Sequence, residues 1–327
     1  MKNWLIVALM FLIVNNFATA QTPPDGIRMH HQYKEEILTL KLKDGSLEGT
    51  LVMPTQVKRM PIVLIIAGSG PTDRDCNSAL GLKTNTFKML AEGLAAKGIA
   101  SFRYDKRHIG KSKMTQKVAD VTFDDFVNDA TFWMDTLKTM KRKGRFTKFI
   151  IAGHSEGSLI ALLTVQKTKT DALISLCGPA QSMDSMIYEQ LGKQAPFLVP
   201  QLKEVYNKWK MGEKVDSFPP MLKSLANPSI EKFMVSIMKY SPQVEISKLK
   251  LPILLISGKN DIQVFPKEAE ILSKANPKAQ LVYFDNMTHV LKDGEANMMS
   301  AQKVYQQTEL PLTEGVVEAI VKFINKK

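Results

Sequence analysis

The sequence has only two cysteines, Cys76 and Cys177, among its 327 residues. Neither has a neighbouring histidine at the spacing of a zinc site, so no metal site is predicted. Each cysteine comes in the segment after a predicted core strand, and the sequence leaves open whether they form a disulfide. Internal repeats and low-complexity tracts are also lacking. The composition is that of an ordinary globular protein.

Acidic residues are too few to balance the basic ones, and the formal net charge is +12. The lysines are scattered along the chain, and no long basic run is interleaved with aromatic residues as a nucleic-acid groove would require. A solvated basic surface is therefore favoured over an anion-binding face. We predict no nucleic-acid partner.

A long hydrophobic run is lacking too, even at the N-terminus. Lys2 precedes an apolar run over residues 4–14, which is shorter than the ~20 residues of a transmembrane helix. Ala18-Thr19-Ala20 then matches the small-residue pattern before a signal-peptidase cleavage site. We predict a signal peptide over 1–20, cleavage near Ala20–Gln21, and a periplasmic or secreted mature chain without stable membrane insertion. An uncleaved anchor is the alternative.

What is present is a regular alternation of apolar runs and helical patterns. The alternating segments around Asp44–Gly45 predict an antiparallel hairpin. Ile62–Ile66 is continuously apolar, as in parallel strands covered by helices on both faces. Further strands are predicted over 99–103, 149–153, 172–176, 252–257 and 280–284, and helices over 87–97, 123–141, 155–166 and 313–325. This order indicates an α/β fold with a mostly parallel sheet.

One segment interrupts the alternation. Residues 181–247 carry Met, Lys, Tyr and Phe at helical spacing, are broken by prolines, and contain no convincing strand. We predict an all-helical lid here, inserted into a core formed by 21–180 and 248–327. Its apolar residues could line an acyl pocket or pack inside the lid, and both interpretations stay open. These residues are Met183, Met186, Tyr188, Phe197, Leu198 and Tyr206.

The strongest motif is Gly153-His154-Ser155-Glu156-Gly157, a G-x-S-x-G sequence between a predicted strand and a predicted helix. That context forces the serine into a strained conformation at the carboxyl edge of the sheet, where ligands of open α/β sheets bind. A Cβ at either flanking glycine would collide with the neighbouring strand and helix. The alternative is an ordinary glycine-rich turn. We predict Ser155 as a nucleophile.

A serine nucleophile needs a base and an acid that orients the base. His289 is the only histidine after Ser155 and follows the last predicted core strand, whereas His154 is expected to point away from Ser155. Asp261 follows the preceding strand, and Asp285 is its rival. The order Ser155, Asp261, His289 is that of serine hydrolases with this turn.

An oxyanion hole requires two backbone N–H groups aimed at the developing charge. We expect one from Glu156, directly after the nucleophile. The other is expected from Ser69, in the glycine-rich loop that follows Ile62–Ile66. That loop lacks the lysine and the spacing of a phosphate-binding loop, which disfavours a nucleotide site.

With these residues placed, the chain from about Ile37 onward resembles the α/β-hydrolase superfamily. More narrowly, it resembles bacterial carboxylesterases with a G-S-G-P-x-D-R-D-G-N loop, which reads here from Gly68 to Asn77 with Cys76 in place of the last glycine. The resemblance implies the α/β-hydrolase fold: an eight-stranded, mostly parallel sheet with helices on both faces and a helical lid between its sixth and seventh strands.

The expected function is hydrolysis of a small-molecule, short-chain carboxylic ester through an acyl-enzyme, with no metal or organic cofactor. Alternatives on the same scaffold are a thioesterase, a serine aminopeptidase and a non-catalytic binding protein. A basic exterior beside an apolar lid could also dock on anionic membranes. An aminopeptidase would need acidic lid residues, for which Glu189, Glu204, Glu213 and Asp216 are available. The sequence carries no signal for oligomeric state.

Overall fold

The computed structural model describes residues 28–29, 32–140 and 144–326. The predicted signal peptide, together with His30 and His31, lies outside the described residues. Within those ranges, no helix combines the length and the apolar character needed to cross a membrane.

Strands occur along the whole described chain. In chain order they are β1 (Arg28–Met29), β2 (Tyr33–Leu42), β3 (Gly45–Pro54), β4 (Met60–Ile66), β5 (Asn77–Ser78), β6 (Leu82–Lys83), β7 (Ala100–Tyr104), β8 (Lys113–Met114), β9 (Phe146–His154), β10 (Ala172–Leu176), β11 (Ile253–Gly258) and β12 (Gln280–Phe284). Apart from the separate β5–β6 pair, all of them join one sheet.

The eight longer strands of this sheet lie in the order β2-β3-β7-β4-β9-β10-β11-β12. β2 is antiparallel to β3 and β3 to β7, whereas every pairing from β7 to β12 is parallel. The two-residue strands β1 and β8 extend this sheet by pairing with β2 and β3. The predicted mostly parallel eight-stranded sheet is confirmed.

Helices cover both faces of the sheet. They are α1 (Thr86–Ala96), α2 (Phe123–Thr139), α3 (Glu156–Lys167), α4 (Met183–Gln194), α5 (Val199–Met211), α6 (Glu231–Ile237), α7 (Pro242–Ser247), α8 (Pro266–Ala275), α9 (Met298–Val304) and α10 (Val316–Asn325). Ile62 and Leu64 of β4 join the same apolar cluster as α2 and α3, whereas Val63 joins the cluster of α1 and α10. Because neighbouring residues of a strand point to opposite faces, a sheet covered on both sides requires the continuous apolar run seen in the sequence.

The segment between β10 and β11 folds as helices α4 to α7 with short 3-10 turns and no strand. It has an apolar core of its own, in which the rings of Tyr206 and Trp209 stack at 5.5 Å and Tyr206 donates a hydrogen bond to the Leu225 carbonyl. Tyr206 and Leu198 are therefore lid-core residues, and Phe197 is exposed. Met183 and Met186 instead line the cavity described below.

Several local details depart from the sequence predictions. In the first hairpin Leu42 pairs with Gly45, so Lys43 and Asp44 form the turn, one residue earlier than the predicted Asp44–Gly45. Helices α8 and α9 had no counterpart among the predictions.

At α2, Thr122 and Asp125 form a reciprocal cap: each side chain accepts a hydrogen bond from the other residue's backbone N–H.

Both cysteines are buried free thiols, so no disulfide joins them. Burial raises the pKa of Cys76 to about 12 and raises that of Cys177 well above its usual value. Thiols held in the protonated form are poor nucleophiles and resist oxidation.

Candidate active site

The serine lies at a sharp turn between β9 and α3. Ser155 has a φ of 55° and a ψ of −123°, a backbone conformation that L-residues rarely adopt. A Cβ added at Gly153 would come within 2.0 Å of the Gly157 carbonyl oxygen, and one at Gly157 within 2.5 Å of the Ile66 carbonyl oxygen. Both glycines are therefore required, because strand and helix approach each other with no room for a side chain.

Asp261 and His289 come together from the ends of two neighbouring parallel strands. Asp261 follows β11 and His289 follows β12, and the contact joins His289 Nδ1 to Asp261 Oδ2 at 2.7 Å. Because a carboxylate only accepts hydrogen bonds, Nδ1 carries the proton and Nε2 is left as an acceptor. Ser155 and His289 line the same cavity.

The Asp261 carboxylate is held in a fixed orientation. Its Oδ1 accepts hydrogen bonds from the backbone N–H groups of Gln263 and Val264, at 2.8 and 2.9 Å. Its side chain is fully buried, whereas that of Asp285 is 79% exposed and pairs with Lys259. The structure thus gives His289 the partner Asp261 and leaves the rival Asp285 on the surface.

The two expected oxyanion donors also face this cavity. Ser69 lies in the loop after β4, and Glu156 is the first residue of α3, where a backbone N–H has no acceptor within the helix. A Cβ added at Gly68 would lie 3.0 Å from Ser155 Cβ, so this loop runs directly beside the serine. Both residues therefore lie next to Ser155 on the wall of the cavity, as the predicted oxyanion hole requires.

A buried ion network holds the glycine-rich loop in place. The Arg74 guanidinium pairs with Asp105 at 2.7 Å and with Glu48 at 2.6 Å. Cys76 has a φ of 69°, in the left-handed region that favours glycine. The carboxylesterases that this loop resembles have glycine at this position. The backbone of Cys76 adopts the positive φ for which glycine is favoured, although the residue here is cysteine.

His154 makes contacts beside the site that the sequence did not predict. Its ring packs 4.7 Å from the ring of His289, and its Nε2 lies 2.7 Å from the His289 carbonyl oxygen. A carbonyl only accepts, so Nε2 is the donor. Burial, with a smaller contribution from His289, lowers the pKa of His154 to about 3, and the ring is therefore neutral. Sequence reasoning missed this contact because the direction of a side chain at a strand end depends on its packing.

The cavity has a volume of about 290 Å³ and lies between the sheet edge, the lid and α9. Its apolar wall includes Met183, Met186 and Ile187 from α4. Among the described residues that line it, Glu156 is the only carboxylate, and no lysine or arginine contributes. Five of its polar groups are amides, from Gln181, Gln190, Gln263, Gln302 and Gln306.

One cluster has the residue types of a metal site. His154, Cys177 and His289 bring a potential ligand atom each to within 4.8 Å of one another. However, burial raises the pKa of the Cys177 thiol well above its usual value, which keeps it protonated. A metal needs a thiolate, so this cluster is a poor fit for an ion.

Comparisons with known proteins agree with this architecture. The chain is 27% identical to esterase EstD of Thermotoga maritima over 258 residues, which cover 77% of this chain and 59% of that protein. The aligned part thus spans less than two thirds of its relative.

Among solved structures, Est1E of Butyrivibrio proteoclasticus with ferulic acid bound has a TM-score of 0.57 and 18% identity, covering 88% of this chain and all of that one. The enol-lactonase of Burkholderia xenovorans LB400 has a TM-score of 0.54 and 16% identity, with the same coverage. At these identities the likeness shows the fold. A family model described as "Serine aminopeptidase, S33" matches residues 80–295, more than half of the chain, and the protein therefore belongs to this family of α/β-hydrolases.

Proposed function

We propose that this protein is a serine hydrolase that cleaves short-chain carboxylic esters, with Ser155 as nucleophile, His289 as base and Asp261 as its orienting acid. The observation that carries the proposal is the 2.7 Å contact between His289 and Asp261, beside a cavity that Ser155 and His289 both line. The name of the Thermotoga relative, an esterase, and the ferulic acid bound to Est1E support ester chemistry.

In the acylation step, Ser155 Oγ attacks the ester carbonyl carbon while His289 Nε2 takes the hydroxyl proton. The carbonyl oxygen becomes an oxyanion, which the N–H groups of Ser69 and Glu156 stabilise. Asp261 stabilises the imidazolium that forms. As the tetrahedral intermediate collapses, the bond to the alcohol breaks and His289 gives the leaving oxygen its proton.

Deacylation repeats the sequence with water as the nucleophile. His289 Nε2 takes a proton from water, whose oxygen attacks the acyl carbon of the Ser155 ester. Collapse releases the carboxylic acid and returns the proton to Ser155 Oγ. These steps need only the chain's own groups and water.

The charge of the cavity wall favours a neutral ester over the alternative substrates. An aminopeptidase needs a free carboxylate for the substrate amine, but the single carboxylate on the wall, Glu156, is paired with Lys106. The acidic lid residues Glu189 and Glu204 pair with lysines and do not line the cavity. Acyl-CoA phosphates would favour lysine or arginine on the wall, and the described lining has neither.

The size of the cavity favours short acyl groups. Its volume of about 290 Å³ is at the lower end of small-molecule pockets, which hold roughly 300–1,000 Å³. Met183, Met186 and Ile187 limit the length of the acyl chain on the lid side.

Hydrolysis of p-nitrophenyl esters from acetate to decanoate, compared between the wild type and Ser155→Ala, tests the proposal. For the wild type, we expect the highest kcat/KM with the short esters. For Ser155→Ala, we expect kcat to fall by about 10⁴- to 10⁶-fold. Equal rates in both proteins would remove Ser155 as nucleophile. Turnover of aminoacyl p-nitroanilides with no turnover of esters would make the aminopeptidase correct, and no turnover of either would point to a binding protein.

We also propose that the protein is exported after cleavage near Ala20–Gln21, on the basis of the N-terminal sequence pattern. N-terminal sequencing of the protein from the periplasm or culture medium of an expressing bacterium tests this. A chain that retains Met1 and stays in the cytoplasm would contradict it.

A further inference from the structure

A buried lysine lies beneath the loop beside the serine. Lys106 follows β7, and only 2% of its side chain is exposed. Its Nζ lies 2.5 Å from the Gly68 carbonyl oxygen, 3.4 Å from Glu156 Oε1 and 5.1 Å from the centre of the Phe126 ring. An ammonium is costly to bury, and these contacts with a carbonyl, a carboxylate and an aromatic face offset that cost.

Lys106 thereby controls one end of the Gly68–Ser69 peptide group. In a planar trans peptide the C=O and the following N–H point in opposite directions. The ammonium holds the Gly68 carbonyl towards itself, which directs the Ser69 N–H away from Lys106. Ser69 lines the cavity, so an N–H directed away from Lys106 is in a position to serve as an oxyanion donor there.

The second contact of Lys106 reaches the other donor. Glu156 supplies the backbone N–H at the start of α3, and its side chain is the carboxylate that pairs with Lys106. One ammonium therefore links the two segments whose N–H groups flank Ser155. Loss of that link would remove the tie between the Gly68–Ser69 peptide and α3, while Arg74 would still hold the later part of the loop.

We propose that Lys106 is the positioning residue of the oxyanion hole, an inference that rests on the proposed ester hydrolysis. It fixes the Ser69 N–H relative to the Glu156 N–H. By withdrawing electron density through the Gly68 carbonyl, it also strengthens the Ser69 N–H as a donor to the developing oxyanion. Lys106 touches neither substrate nor the reacting atoms.

A lysine with only a structural role would change stability and leave turnover by the folded protein unaltered. Oxyanion stabilisation acts on the transition state, so its loss lowers kcat and leaves KM nearly constant. A fall in kcat at nearly constant KM in the folded variant therefore indicates a positioning role, and a change in stability alone indicates a structural role.

The experiment compares Lys106→Met with the double variant Lys106→Met/Glu156→Gln, which avoids leaving an unpaired buried carboxylate. Lys148→Met is the matched control, since Lys148 Nζ donates to the Ile324 carbonyl at 2.7 Å, near the opposite end of the strand that leads to Ser155. Steady-state kinetics on p-nitrophenyl acetate are normalised to folded protein by circular dichroism.

We expect kcat to fall about 10- to 100-fold in the double variant, with KM within about threefold of the wild type. Phosphonylation of Ser155 by a p-nitrophenyl phosphonate should slow by a similar factor, because it also develops charge on an oxygen in the hole. Lys148→Met should keep the wild-type kcat within about twofold.

A folded double variant with wild-type kcat would overturn the role of Lys106 and leave the proposed function intact. A matching fall in kcat for Lys148→Met would also overturn it, because the effect would then be a general loss of packing. Absence of ester turnover by the wild type would overturn the proposed function, and this inference with it.

Discussion

The imidazole of His154 lies against that of His289, with 4.7 Å between the ring centres and 2.7 Å between His154 Nε2 and the His289 carbonyl oxygen. His154 thus holds the backbone of His289, the proposed base, while Asp261 holds its ring. We expect His154→Phe to lower kcat about tenfold, because one lost hydrogen bond of ~1 kcal/mol lets His289 move. His154→Gln, which keeps a donor, should lose less.

Ester kinetics on both variants check this prediction. His108→Gln is the control, since His108 is the third described histidine and does not line the cavity. Equal loss in the Phe and Gln variants would assign the effect to ring packing and remove the hydrogen bond as its cause.

The same burial of His154 gives the protein a pH-dependent stability. The unfolded chain binds a proton at His154 below its usual pKa of 6.5, whereas the folded chain does so only near pH 3. The free energy of unfolding should therefore fall as the pH drops from about 6.5 towards 3, by at most ~1.4 kcal/mol per pH unit. Urea denaturation at pH 7 and pH 5 measures it, and His154→Gln should flatten the difference.

The two candidate acids give contrasting predictions. Asp261→Asn leaves the geometry nearly intact but no longer fixes the tautomer of His289, so kcat should fall about 10⁴-fold. Asp285→Asn alters an exposed residue paired with Lys259 and should change kcat by less than about twofold. Kinetics on one short ester compare the two. The reverse pattern would make Asp285 the acid.

Two glycines give opposite expectations for stability. In Gly153→Ala the new Cβ would meet the Gly157 carbonyl oxygen at 2.0 Å, and backbone must move, so we expect a loss of about 3 kcal/mol or more. In α4, a Cβ at Gly192 would meet its nearest neighbour only at 4.0 Å, so Gly192→Ala should be neutral or stabilising by up to ~1 kcal/mol. The denaturant midpoints of the two variants measure both changes in stability. Equal midpoints for Gly153→Ala and Gly192→Ala would contradict the steric argument.

The buried thiols predict slow chemical modification. Because burial raises the pKa of both Cys76 and Cys177, Ellman's reagent should label neither within minutes in the native protein and both after unfolding. One labelled thiol in the native state would show an opening around that cysteine. No labelling after unfolding would mean that a disulfide forms after all.

The sheet was predictable because its residues are constrained on both faces. Ile62–Ile66 is apolar at every position, and Ala172–Leu176 is apolar at all but Ser175. Asp261 and His289 could be chosen because each follows a predicted strand, in the chain order that the motif at Ser155 implies. Gly153 and Gly157 carried a steric signal as well. The strands, the two candidate triad residues and the two glycines could be predicted because each is determined by a short segment of sequence or by the order of segments along the chain.

The surroundings of the site were not predictable in the same way. The contacts of His154 and Lys106 depend on side-chain directions that packing decides after the strands have met. Lys106 precedes Arg107 and follows Asp105 in a charged loop, where nothing in the pattern distinguishes a buried ammonium from a solvated one. Helix α9 is short, with too few turns for a clear periodic signal.

The strained backbone of Ser155 separates what the turn requires from what the proposed chemistry requires. Glycine would adopt that φ without strain, whereas serine costs roughly 1 kcal/mol or more there. The turn itself therefore has no need of a side chain at this position. The proposed nucleophile does need one, and the backbone strain is the cost of presenting a hydroxyl at the point where strand and helix meet.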